Sequence, residues 1–227
     1  MKYIYCILFF LFSIANFCQT KAIYNELALE KFNLKDYKGA IEYFTKVIEV
    51  SPKDSVAYLD RAMTKDIIKD YIGAISDFSK QLEIDSLNVD SYFMRGTVKD
   101  KLKDYKGSIA DYTKTISLEY NNADAHYFLG NAKAALKDYK NAIPNYDDAI
   151  KIRYNHAEAY CSRGFANEKL KHLKKAISDY DFAIKLDSTI PEFYLKRGNL
   201  KLKMQQKLSG QQDLKTYKLL KKTNEKK

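Results

Sequence analysis

Between residues 21 and 224 the apolar positions recur at spacings of three and four, and the whole arrangement returns every 34 residues. The dipeptide Asp-Tyr marks the period at Asp36-Tyr37, Asp70-Tyr71, Asp104-Tyr105 and Asp138-Tyr139, with His172-Leu173 as a degraded copy. Four residues after each Asp comes a small residue followed by Ile, as in Ala40-Ile41, Ala74-Ile75, Ser108-Ile109 and Ala142-Ile143. An aromatic follows (Phe44, Phe78, Tyr112, Tyr146, Tyr180), then an aliphatic (Ile48, Leu82, Ile116, Ile150, Ile184). These spacings lay one apolar stripe along a helix. The Asp before each Tyr is placed to cap that helix at its N-terminus.

The other half of each period predicts a second amphipathic helix. It carries Tyr58, Tyr92, Tyr160 and Tyr194, and a small residue at 28, 62, 96, 130, 164 and 198 that lets two backbones approach. The expected fold is therefore all-α, about six antiparallel helix pairs over 21–54, 55–88, 89–122, 123–156, 157–190 and 191–224. A hairpin of this kind cannot bury its apolar side alone and must stack on its neighbour. Gly210, Leu214 and Tyr217 hold the register of the last pair, while Lys207, Gln211 and Lys218 replace apolar residues there, as a terminal cap requires. Pro144 falls inside a predicted helix and calls for a kink or a late start.

A covariation runs within the repeats. Where the seventh residue is Arg the twenty-third is Asp, giving Arg61 with Asp77, Arg95 with Asp111, Arg163 with Asp179 and Arg197 with Asp213. The two units without the Arg have Leu27 with Tyr43 and Leu129 with Asn145. This predicts structural ion pairs that pin the two helices of one hairpin. An arginine ladder for anionic ligands is the functional alternative.

The aromatic-small-aromatic and Ala-aromatic-Ala pattern, with a helix breaker such as Pro52 near the end of a unit, resembles the tetratricopeptide repeat. The resemblance implies a right-handed superhelix with a concave groove, lined by the second, fifth, sixth and ninth residues of each unit's first helix. At the fifth position stand Asn25, Leu59, Phe93, Tyr127, Cys161 and Leu195, and at the ninth Leu29, Met63, Thr97, Asn131, Phe165 and Asn199. The second position adds Asp90, Asp124, Glu158 and Glu192, an acidic column beside an apolar floor. The carboxylate clamp of chaperone-binding relatives is missing, because its places hold Asn25, Leu29, Asp60, Asp90 and Met94. The expected activity is that of a non-catalytic scaffold whose groove takes a protein or peptide segment carrying Lys or Arg beside apolar anchors. Phe93, Tyr127 and Phe165 motivate a rival, a carrier or sensor of a small apolar or glycan ligand.

Charge modifies this picture only at the end of the chain. The formal charge is +10, but nine Lys against Asp213 and Glu225 crowd residues 200 to 227, and the body is nearly neutral. That distribution argues against nucleic acid and for a solvated basic end, residues 218–227, with attachment to an anionic membrane surface as a further expectation. The histidines, His126, His156 and His172, have no metal-ligand spacing, no nucleophile elbow or phosphate loop is present, and no cofactor is expected.

Residues 1–18 open with Lys2 and continue as an apolar run from Ile4 to Phe12, which reads as a secretory signal peptide ahead of repeats that begin by residue 19. An extracytoplasmic location, periplasmic or secreted, follows from it; an uncleaved N-terminal anchor is the alternative. Phe17 stands where lipoprotein signals carry Gly, Ala or Ser, which argues against lipidation of Cys18. Cleavage there leaves Cys161 as the one thiol, so packing and no disulfide must stabilise the fold.

Overall fold

A computed structural model describes residues 19–225, and among these there are helices and no strand. The expected signal segment lies outside the described residues. No helix of the described residues is long and apolar enough to cross a membrane. The chain divides into two compact units that meet in sequence after Asp104. The first holds α1 (19–33), α2 (Tyr37–Val50), α3 (Ser55–Ile67), α4 (Tyr71–Ile84) and α5 (Val89–Lys101). The second holds α6 (Tyr105–Leu118), α7 (Ala123–Ala135), α8 (Tyr139–Ile152), α9 (Ala157–Lys169), α10 (Leu173–Leu186), α11 (Pro191–Lys203) and α12 (Lys207–Asn224). Within each unit successive helices pack on one another, α2 to α5 in the first and α6 to α12 in the second.

One turn design joins the helices of a pair. In the first, Asp36 N–H donates to the Lys31 carbonyl and Lys35 N–H to the Phe32 carbonyl, each at 2.9 Å. This is the double closure of a Schellman motif, and it needs a left-handed residue between the helices. Lys35, Lys69, Lys103, Lys137, Lys171 and Gln205 take that role, with φ between 61° and 65°. None is glycine, although a Cβ makes this conformation costly. The next residue then turns from helix stop to helix start. Asp36, Asp70 and Asp138 accept from the backbone N–H of Gly39, Gly73 and Asn141. His172 and Gln206 hold the same place in α10 and α12 without a side-chain cap.

The core forms where first and second helices face each other. Phe78 is 1% exposed against Ala62, Ala74 and Val98, with Leu59, Ile75 and Met94 around it. Burying such a side chain stabilises by about 1.5–3 kcal/mol. In the second unit Tyr146 and Tyr180 take the corresponding place. Glycine is required opposite them, since a Cβ on Gly130 would sit 2.6 Å from the Tyr146 ring and one on Gly164 2.9 Å from Tyr180.

Of the two outcomes expected at Pro144, a kink or a late start, the second does not occur. α8 starts at Tyr139, in step with the other second helices, so Pro144 causes no late start. Pro144 is exposed, where water can serve the carbonyl its missing N–H leaves unpaired. Over the described part of the basic end, α12 stays helical to Asn224 and carries Lys218, Lys221 and Lys222 on exposed positions.

Candidate ligand-binding face

The first helices must be held at a fixed tilt before their faces can bind anything, and arginine does this. Arg61 Nε and Nη2 donate to the two carboxylate oxygens of Asp77 at 2.8 and 2.7 Å. Arg163 Nη2 reaches Asp179 at 2.6 Å, and Arg197 Nε and Nη2 reach Asp213 at 2.8 and 2.6 Å. These forks join the helices of one hairpin. The remaining nitrogen does something the covariation did not indicate, since it reaches back to the preceding hairpin. Arg61 Nη1 donates to Thr45 and Arg95 Nη1 to Ser79, each at 3.0 Å, while Arg163 Nη1 meets Asp147 at 2.6 Å and Arg197 Nη1 meets Asp181 at 2.7 Å. In the α3–α4, α9–α10 and α11–α12 hairpins the arginine thus ties the pair to the preceding hairpin as well as to itself. Tyr58, Tyr92, Tyr160 and Tyr194 back the four guanidinium groups at 5.3 to 5.7 Å.

The eleventh residue of a repeat completes this network. Lys65 lies 2.8 Å from Asp77 and Lys201 3.0 Å from Asp213, while Asn167 donates to Asp179 at 3.0 Å. In the repeat with Leu129 in place of the arginine, Lys133 instead donates to Asn145 at 2.8 Å. Burial raises the Asp213 carboxyl, but the hydrogen bonds and charges of Arg197 and Lys201 outweigh it and hold the group below the usual carboxylate range.

On the face of the first unit, Leu29 and Met63 are exposed, 43% and 37%, and Asp90 is exposed beside half-buried Phe93 and Thr97. Leu59 is half-buried and packs on the Phe78 cluster, so it contributes wall more than contact surface. Asp60, from the sixth position, is half-buried; burial and then the charge of Asp54 hold its carboxyl above the ordinary value.

On the face of the second unit, Glu158, Glu192 and Asn199 are exposed, and Asp124, Asn131, Phe165 and Leu195 are half-buried. Tyr127 packs against the Tyr146 cluster. Asn131 accepts from the Tyr146 hydroxyl at 2.9 Å. Phe165 lies between Lys169 and Lys196, at 4.9 and 4.4 Å from its ring centre. Lys196, the sixth residue of its repeat, thus adds a positive group to a face that the second column marks as acidic. Asp124 is not a bare acid either, because Arg153 pairs with it. Cys161 is 4% exposed, and burial pushes its thiol up to about 12. It is a packing residue.

Sequence comparison matches the model of the tetratricopeptide repeat to residues 22–54, 89–122, 123–156 and 157–190, more than half of the chain. No curated protein matches the sequence. Among solved structures the fold is similar to the MamA protein, at 24% identity over 75% of this chain and 93% of that one, with a TM-score of 0.72. It is also similar to YrrB, described as a TPR protein with an unusual peptide-binding site, at 23% identity over 80% and 93% with a TM-score of 0.65. PilF of Pseudomonas aeruginosa aligns at 16% identity over 90% and 91%, with a TM-score of 0.70.

Proposed function

Because the chain belongs to the tetratricopeptide repeat family, we propose that it is a non-catalytic scaffold whose first-helix faces hold a basic, apolar-anchored peptide or helical segment of a partner protein. One observation carries the reading: apolar side chains, exposed in the first unit and half-buried in the second, share helix faces with acids in both units. Leu29 and Met63 stand in register with Asp60 and Asp90, and Leu195 with Glu158 and Glu192. Apolar anchors would bury the first group, and a Lys or Arg would be drawn to the second. Asp60 supports this, since a carboxyl held up by burial and a neighbouring negative charge gains most from an incoming cation. The peptide-binding description of YrrB supports the mode of binding by analogy of fold.

The test is affinity capture by the full chain, compared with variants at exposed face positions, Met63→Glu and Asn199→Arg, and with a control on a second helix, Lys185→Glu. Exposed positions are chosen because Leu59 and Tyr127 also pack in the core, so their truncation would mix binding with stability. Partner recovery should fall at least tenfold for the face variants and stay level for the control. Equal recovery from all three would end the proposal.

A further inference from the structure

The face of the second unit contains an open hollow of about 420 Å³ lined by Asp124, Tyr127, Phe128, Arg153, His156 and Glu158. His156 precedes α9 and does not cap it, so its side chain is not spent on the helix. It is only 7% exposed, with its ring 4.7 Å from that of Tyr127. Its Nδ1 lies 3.2 Å from Glu158 Oε2. An ionised carboxylate only accepts, so Nδ1 carries the proton and the neutral ring keeps a lone pair at Nε2. That Nε2 is buried and makes no hydrogen bond among the described residues. Asp124 Oδ1 stands 3.6 Å away, another acceptor, too far for a bond and with no proton to share. Protonating the ring would serve both acids, yet burial, and then the positive charge of Arg153, hold the His156 pKa below its ordinary value against the pull of Glu158 and Asp124.

His156 Nε2 and Asp124 Oδ1, 3.6 Å apart, are two acceptors that one donor group can serve. A metal ion fits poorly, because Glu158 sits on the opposite edge of the imidazole from Asp124. An anion would meet two carboxylates. An ammonium or guanidinium group meets both needs, donating to Nε2 and to Asp124 while its alkyl stem lies along Tyr127 and Phe128. Arg153 shares Asp124 without removing the demand at Nε2.

We propose that this hollow is a recognition pocket for a lysine or arginine side chain of a partner protein, read by His156 Nε2 and Asp124 over the Tyr127 ring. The assignment rests on the scaffold reading above and locates one of its basic contacts. The test follows the His156 and Tyr127 ring resonances of the full chain by NMR during titration with Nα-acetyl-lysine methylamide, its norleucine counterpart and cadaverine. The lysine probe should shift both rings saturably, the norleucine probe should not, and cadaverine should bind no more tightly than the lysine probe. His156→Phe, which keeps the ring, and Asp124→Asn, at a half-exposed position, should each weaken the lysine probe at least fivefold.

Equal shifts from norleucine, or no shift from lysine in a chain that still captures its partner, overturn the pocket and leave the scaffold reading standing. Lysine titration in a chain that captures nothing supports the pocket and sinks that reading. Cadaverine binding tenfold more tightly than lysine overturns the assignment to a protein side chain in favour of a free diamine.

Discussion

The α3–α4 hairpin and the α9–α10 hairpin share one register and fill it with different chemistry. In the first, Ala62 faces Phe78, and Asp77 is held by two cations, Arg61 and Lys65, while the spare arm of Arg61 rests on the Thr45 hydroxyl. In the second, Gly164 faces the larger Tyr180, and Arg163 divides itself between Asp179 and Asp147, with a neutral Asn167 in the place of the lysine. Both solutions keep the buried carboxylate paired. They differ in what is left if a partner goes. Losing Asp77 leaves two cations beside a hydroxyl, whereas losing Asp179 leaves Arg163 still paired with Asp147 at 2.6 Å. The repeat therefore keeps the buried carboxylate paired at each layer while the charge around it changes sign, from one carboxylate between two cations to two carboxylates on one cation.

That difference can be broken most forcefully at the carboxylates. Asp77→Ala should destabilise by roughly 3 kcal/mol, because the fork is mostly buried and two charges lose their counter-ion. Asp179→Ala should cost about 1–2 kcal/mol, since Asp147 remains. Urea unfolding of the two variants measures this, and equal losses would mean that the second arm of Arg163 contributes nothing.

The small-residue layer gives the next effect. Gly130→Ala gains helix propensity of about 1 kcal/mol, but its Cβ would press on a Tyr146 ring anchored through its hydroxyl to Asn131. Overpacking of this kind costs about 1–3 kcal/mol, so a net loss is expected. Combining it with Tyr146→Phe, which frees the ring, should recover part of that loss in the same measurement. A Gly130→Ala chain more stable than the parent would show that the ring moves aside at no cost.

The smallest effect lies in a feature the two hairpins share. Lys69 and Lys171 both adopt φ near 65°. Lys69→Gly relieves the left-handed strain but adds freedom to the unfolded chain, leaving a gain of about 0.5 kcal/mol. Thermal unfolding should show a slightly higher midpoint, and a fall would mean that the lysine side chain makes a contact worth more than the strain.

The repeat length, the helix pairs and the Arg–Asp columns stand in the sequence because each depends on residues within one period, where a 34-residue return exposes them. A paired change from Ala with Phe to Gly with Tyr across the repeats is there as well, in the eighth and twenty-fourth columns, although only the ring lying on Gly130 and Gly164 gives it meaning. The turn lysines were not legible, because a left-handed residue is normally announced by glycine.

What tertiary structure alone decided is where each charge finds its partner. Sequence order placed Asp124 and Glu158 in one acidic column, but folding brought Arg153 onto Asp124 and set His156 between the two acids. It set Lys196 against Phe165 in the same way. Periodicity fixes which face of a helix a side chain occupies, since that depends on local geometry repeated along the chain. Ion pairing and the hydrogen-bond state of an imidazole depend on the few ångströms between neighbouring helices and on burial, and neither distance nor burial is written in the order of residues along one helix.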